Sequence, residues 1–274
     1  MTLRLATWNI NSVRLRMANV ARFLSEYQID ILALQEIKTI NESFPSLEFA
    51  ALGYEHQLVH GMKSYNGVAI LSRVNLGSVL PAFPDFCQRQ DCRHQVATFA
   101  ANATAKSDQI ELHNFYIPAG GDIPDASQNP KFAHKLEYLA TGRDWFAAQK
   151  PERKILVGDL NIAPLEQDVW SHRQLLTVVS HTPIEVAALE EFRRSLDWVD
   201  AVRLFYPEDQ KLYSWWSYRN QDWEKSDRGR RLDHIWVTPD LAQYVVAAGI
   251  AKNVRSWEAP SDHVPVWIDL NLDK

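Results

Sequence analysis

The chain of 274 residues is 46% hydrophobic and 23% charged, ample material for a large core and too apolar for a disordered segment. Its 29 Lys and Arg against 34 Asp and Glu leave a formal charge of −5, which on first reading argues against a nucleic-acid partner. Cys87 and Cys92 are too few for a disulfide framework and wrongly spaced for zinc, so a reduced, cytoplasmic protein is expected, with no signal peptide in the leading MTLRLATWNIN and no membrane span.

Leu3–Ile10 reads as the first strand, and Met17–Tyr27 follows with Val20, Phe23 and Leu24 on one helical face. Ile31–Ile37, Gly67–Ser72, Gln109–Ile117 and Lys154–Leu160 are again apolar runs of strand length. Before the last of these, Lys131–Lys150 repeats Phe132, Leu136, Leu139 and Trp145 at helical spacing. Ile184–Leu196 is a third helix, acidic near its start and carrying Arg193 and Arg194 near its end, as the helix dipole favours. Leu212–Arg219 alternates small polar with aromatic residues and reads as a strand entering a polar loop. Leu232–Val237 and Val264–Leu270 close the set. Strands outnumber helices without strict alternation, and no Gly/Ser linker or repeat divides the chain. The expectation is one domain, residues 1–274, of two packed mixed sheets with helices outside.

Polar side chains cluster at the ends of these strands: Asn9 and Asn11, Glu36, Asp159 and Asn161, Asp233, then Asp262 and His263. Strand ends at one edge of a layered fold converge in space. Four carboxylates sharing a cleft repel one another unless a cation or proton intervenes. Oxygen donors with few imidazoles suit a hard divalent ion, Mg2+ or Mn2+, rather than zinc. The ion takes one or two carboxylates, leaving others for proton transfer and for orienting His263; the logic is metal-assisted hydrolysis of a phosphate ester. Each fragment alone has a plainer reading. Gly158–Ile162 could be an Asx turn, Ser261-Asp262-His263 a helix cap, and Arg231 with Asp233 a surface ion pair. Their joint occurrence at strand ends is what points to a site.

The motifs WNIN, LQE, NGVA, YIP, GDLNI, RRLD and SDHVPV, in this order over nearly the whole chain, resemble the exonuclease III family of abasic-site endonucleases, within the endonuclease/exonuclease/phosphatase superfamily. The resemblance implies a DNase I-like four-layered α/β sandwich. It implies a Mg2+-dependent repair nuclease, with Mn2+ as a substitute, incising duplex DNA 5′ of abasic sites and removing nucleotides or blocking groups from 3′ ends. In that reading Glu36 ligates the metal with Asn11 and Asp262 close by, Asp159 activates water, Asn161 orients it, and Asn9 supports Asp159. Tyr116 lies on the phosphate side, and His263, paired to Asp233, contacts the scissile phosphate. DNA is met by Trp215, Trp216, Arg219, Arg228, Arg230, Leu232 and Asn66, one tryptophan of the pair being core and the other lining a pocket. Two departures from the family pattern bear on substrate preference: Arg230 stands where relatives have an apolar residue, and Ala119 where they have a side-chain amide. A monomer is expected. The competing readings are a superfamily phosphoesterase acting on a lipid or small-molecule phosphate, and an inactive DNA-binding module. His172 and His181 read as surface or structural.

The acidic sum is unevenly spread. Residues 26–60 hold six acids and one base, residues 155–200 eight acids and three bases, while the first 25 residues hold four arginines and no acid. Residues 202–231 carry seven bases against five acids. The pattern predicts a basic rim, an acidic metal centre and an acidic back, so local charge can still hold phosphates.

Overall fold

The computed structural model describes residues 2–79, 91–100 and 109–273; Cys87 lies outside them. Its strands are β1 (Thr2–Asn9), β2 (Ile31–Gln35), β3 (His56–Met62), β4 (Tyr65–Ser72), β5 (Leu76–Val79), β6 (His94–Ala100) and β7 (Gln109–Tyr116). They continue with β8 (Lys154–Asp159), β9 (Val199–Asp200), β10 (Trp215–Trp216), β11 (Gly229–Arg230), β12 (Asp233–Val237), β13 (Val245–Ile250) and β14 (Val266–Asn271). One six-stranded sheet has the order β13-β14-β1-β2-β4-β3 and a second β5-β6-β7-β8-β12-β9, while β10 and β11 form a ribbon. Neighbours are antiparallel except β1 with β2 and β7 with β8.

Side chains alternate across a strand, and here both faces are buried, which is why layers form. Leu3 and Leu5 of β1 join Ile31, Ala33 and Ile70 and meet Leu112, Ile155, Val157 and Ile235 of the other sheet in the central core. Ala6 and Trp8 face the opposite side, packed with Val20, Phe23 and Leu24 of the Met17–Glu26 helix. Beyond the second sheet, Phe115, Leu156 and Trp236 pack against Tyr138, Leu139 and Phe146 of the Pro130–Ala147 helix and Leu189 and Phe192 of the Pro183–Arg194 helix. The layers are helix, sheet, sheet, helix, the expected four-layered sandwich. The Pro183–Arg194 helix starts with proline in its first turn and a Thr182–Glu185 capping box, so its N-terminal N–H groups are satisfied locally.

The three expected helices and seven expected strands form, with ends shifted by a few residues. The Leu212–Arg219 run does not extend as a strand: only Trp215–Trp216 pairs, because Ser214 turns inward onto Asp233 and Trp215 bridges to His263. Strand β3 was not foreseen, since it lies half-buried nearly throughout and carries no clean alternation.

Register decides where the polar ends meet. Pairing of β7 with β8 sets Tyr116 opposite Asp159, and β12 sets Asp233 opposite Asp159 on the other side. In the first sheet Asn9 pairs with Gln35, the residue before Glu36. Gly158 permits the close β7–β8 approach: at φ +143° a Cβ there would stand 1.8 Å from the Phe115 carbonyl oxygen. The sheets are clasped by two buried amides. Gln35 Nε2 donates to Asn114 Oδ1 at 2.7 Å, and Asn114 Nδ2 donates to the carbonyls of Leu34 and Ala69. No helix among the described residues is long and apolar enough to cross a membrane.

Candidate active site

Asp159 ends β8 with its carboxylate buried. Asn161, in the left-handed region at φ 54°, folds back so that its backbone N–H donates to Asp159 Oδ1 at 2.9 Å and its amide to Oδ2 at 3.1 Å. The Asn9 amide donates to the same Oδ2 at 2.9 Å. Burial is the largest influence on Asp159 and raises its pKa to about 7, with the Asp233 anion adding to it against the opposing pull of His263. A carboxylate poised there can take a proton from water near neutral pH.

His263 sits between two carboxylates. Its Nδ1 lies 2.8 Å from Asp233 Oδ2 and its Nε2 3.7 Å from Asp159 Oδ2. Burial alone would lower its pKa, but the Asp233 and Asp159 anions outweigh it and lift the value to about 10. The ring is therefore an imidazolium across the neutral range. Asp233 Oδ2 also receives the Ser214 hydroxyl at 2.6 Å, and the Ser214 oxygen accepts from the backbone N–H of Leu232 and Asp233. Ser214 was missed in the sequence; a serine between aromatics gives no signal of this role.

Glu36 follows β2 in the left-handed region at φ 52°. Asn9 Nδ2 and Tyr116 Oη donate to its Oε1 at 2.9 and 2.7 Å. Burial opposes ionisation, yet the Lys38 cation and these donors hold its pKa below the ordinary value. Tyr116 is pushed well above its ordinary value, first by burial and then by the Glu36 and Asp159 anions, so it is a standing donor. Glu36 Oε2 and Asn11 Oδ1 converge on Lys38 Nζ at 2.7 and 2.5 Å. An ammonium seated between oxygen donors marks a cation position, and Asp262 Oδ1 lies 3.4 Å from Asn11 Nδ2 beside it. Lys38, two residues past Glu36, is a member of the site that sequence reasoning passed over. Asp159, Asp233 and His263 also offer donor atoms within 4.8 Å of one another. There His263 already supplies the positive charge, and an added ion would have to displace its proton. The oxygen-rich donor set as a whole fits a divalent metal.

A cleft of about 820 Å³ opens over these groups, walled by Trp215, Arg219, Arg228, Arg230 and Leu232. Trp215 Nε1 donates to Asp262 Oδ2 at 3.0 Å, which ties the wall to the acidic centre. Arg230 lies over the Trp215 ring at 5.2 Å and donates to Val179 O and Ser180 Oγ, while Ala119 lines the cleft as well. Arg228 lies over Trp170, an aromatic that carried no sequence signal. Two expected DNA contacts are placed elsewhere. Trp216 is 0% exposed, with its indole N–H on Asp227, and is the core member of the pair. Asn66 is 1% exposed, and its amide is spent on the Asp91 carbonyl while its own carbonyl receives the Lys38 N–H. Both shape the framework beneath the site. His172 and His181 hydrogen-bond each other at 2.8 Å, with His181 Nδ1 on the Ala163 carbonyl, a structural pair as expected.

The sequence profile of the endonuclease/exonuclease/phosphatase family matches residues 6–263. The chain is 30% identical over 277 positions to the exodeoxyribonuclease III of Haemophilus influenzae, covering 97% of this chain and 99% of that one. The AP endonuclease of Archaeoglobus fulgidus superposes with a TM-score of 0.88 at 30% identity, over 97% of this chain and 98% of the other. A 3′ phosphatase from Neisseria, solved with a product DNA hairpin, gives 0.88 at 28% identity over 98% and 99%. Sandwich, buried carboxylates and imidazolium together define a metal-assisted phosphodiester hydrolase. The chain belongs to the endonuclease/exonuclease/phosphatase family, its full-length likeness lies with exodeoxyribonuclease III, and it is a DNA-repair nuclease.

Proposed function

We infer that the chain hydrolyses phosphodiesters in duplex DNA, incising 5′ of abasic sites and removing nucleotides or blocking groups from 3′ ends, as a cytoplasmic monomer using Mg2+, with Mn2+ able to substitute. The observation that carries this reading is the position of Asp159. It is gripped by Asn161 and Asn9, faced by the His263 imidazolium, and set in the floor of a cleft walled by arginines.

Asp159 accepts the proton of the attacking water, whose position the Asn161 amide sets. The His263 imidazolium, held by Asp233, stabilises charge on the phosphate oxygens as the fifth bond forms. Tyr116, whose hydroxyl donates its hydrogen bond to Glu36 Oε1, holds that carboxylate in place on the phosphate side. Glu36, Asn11 and Asp262 would hold the metal, with Lys38 moving aside; when bound, the ion supplies further neutralisation of the phosphate and leaving oxygen. Trp215 and Leu232 form the pocket for an extruded abasic sugar, which lacks a base to unstack, and Arg219, Arg228 and Arg230 meet the DNA backbone.

A duplex carrying one abasic analogue, assayed with Mg2+ and with EDTA, tests the reading. Metal-dependent incision on the 5′ side of the lesion is expected. Binding without cleavage, or activity confined to small phosphate esters, would overturn it. A 3′-phosphate duplex and a blunt duplex in the same assay rank the end-processing activities.

A further inference from the structure

Lys135 and Glu185 form a fully buried ion pair, Nζ to Oε1 at 2.5 Å with both side chains 0% exposed. Lys135 comes from the Pro130–Ala147 helix and Glu185 from the Pro183–Arg194 helix. Stability alone gives little reason for such a pair, because an apolar pair of similar volume is often as stable or more so. What the two charges hold is more informative. Lys135 directs its remaining N–H groups to the carbonyls of Asn161 at 2.9 Å and Ala119 at 3.3 Å. Asn161 is the left-handed residue whose backbone and side chain both grip Asp159. Glu185 accepts the Ser180 N–H with both oxygens at 3.0 Å, and Ser180 Oγ with the Val179 carbonyl receives the Arg230 guanidinium. One ion pair is thus joined on one side to the turn bearing Asp159 and on the other to the wall of the cleft.

We propose that the Lys135–Glu185 pair is a positioning unit that fixes the Asp159–Asn161 turn relative to the Val179–Ser180 wall, so that general base and substrate pocket keep one spacing. Neither side chain touches DNA; both act through Asn161, Ser180 and Arg230. The proposal rests on the reading of Asp159 as the base. Without the ammonium, the Asn161 and Ala119 carbonyls lose a donor that no apolar side chain replaces. A misplacement on the order of 1 Å at a reacting group costs ~10²-fold in rate.

The test uses the full chain with Lys135→Met, Glu185→Gln and the apolar pair Lys135→Met/Glu185→Leu, assayed on abasic duplex well below each melting temperature. The single variants are expected to lose kcat by about tenfold or more, with KM for duplex held within about threefold. The apolar pair, which leaves the Ser180 and Thr182 N–H groups and the Asn161 and Ala119 carbonyls without these partners, is expected to melt below wild type and to keep a low kcat even well below that melting temperature, whereas a merely structural role would lower the melting temperature and leave kcat unchanged. Unchanged kcat in the apolar pair or in Lys135→Met overturns the proposal and leaves the nuclease reading standing. A wild-type protein that cleaves no DNA overturns that reading itself. Should a variant fail to fold, amide exchange in the wild type decides: protection of the Ser180 N–H near the level of the core supports the unit, and rapid exchange overturns it.

Discussion

His263 reaches Asp233 with one ring nitrogen and Asp159 with the other, at 2.8 and 3.7 Å, so a single imidazolium separates two buried carboxylates. The arrangement gives the two acids different surroundings. Asp233 is closed in by Ser214 and His263, while the buried Asp159 has its pKa raised to about 7.

This pairing predicts a bell-shaped pH dependence. Activity needs Asp159 ionised and His263 protonated, so kcat/KM should rise through about 7 and fall through about 10. Stability follows the same groups with a definite sign. Both folded pKa values exceed the ordinary ones, so the contribution is full below the ordinary values and drains as pH climbs through about 7 and then about 10. Melting temperature should fall across that window in wild type and less in His263→Gln. A profile flat from pH 6 to 10 would reject the pairing.

Asp159→Asn keeps the shape of the side chain and removes its ability to take a proton. Turnover should drop by at least ~10²-fold while duplex affinity survives. Single-turnover cleavage and a gel-shift titration separate the two, and wild-type turnover in this variant would dismiss Asp159 as the base.

The two adjacent tryptophans should behave differently. Trp215→Ala removes a cleft wall and should weaken binding of abasic duplex by ~1–3 kcal/mol with a modest change in melting temperature. Trp216→Ala empties a buried site and should cost ~3–5 kcal/mol of stability. Fluorescence anisotropy and denaturant unfolding read the two losses.

Gly158→Ala cannot hold the β7–β8 register, since its Cβ would overlap the Phe115 carbonyl. Loss of stability on the order of 4 kcal/mol is expected, together with lost activity, because Asp159 is the next residue. Denaturant midpoints near wild type would contradict the register.

Binding should weaken steeply with salt despite the formal charge of −5, because Arg219, Arg228 and Arg230 line the cleft. A level plot of log K against log salt concentration would count against backbone contacts by these arginines.

Much of the site was legible in the sequence because polar groups at strand ends leave short polar motifs against apolar runs. Glu36, Asp159, Asn161, Asp233 and His263 meet as expected. The members that escaped notice act through long-range geometry. Lys38, Ser214 and the Lys135–Glu185 pair carry no pattern of their own: Lys38 pairs with Glu36 two residues away but meets Asn11 only across strands, and the others meet their partners only once distant segments are packed. Asn66 shows the converse: a motif residue whose side chain supports the chain rather than the ligand.

The sequence by itself determined the layers and the chemical types available, because two-residue alternation and helical spacing are local and dictate which faces must be buried. Tertiary structure alone decided which carboxylate is paired to the imidazolium at 2.8 Å and which lies at 3.7 Å with its pKa raised to about 7. That difference comes from register, burial and the one imidazolium between them, and none of these is a property of any residue in isolation.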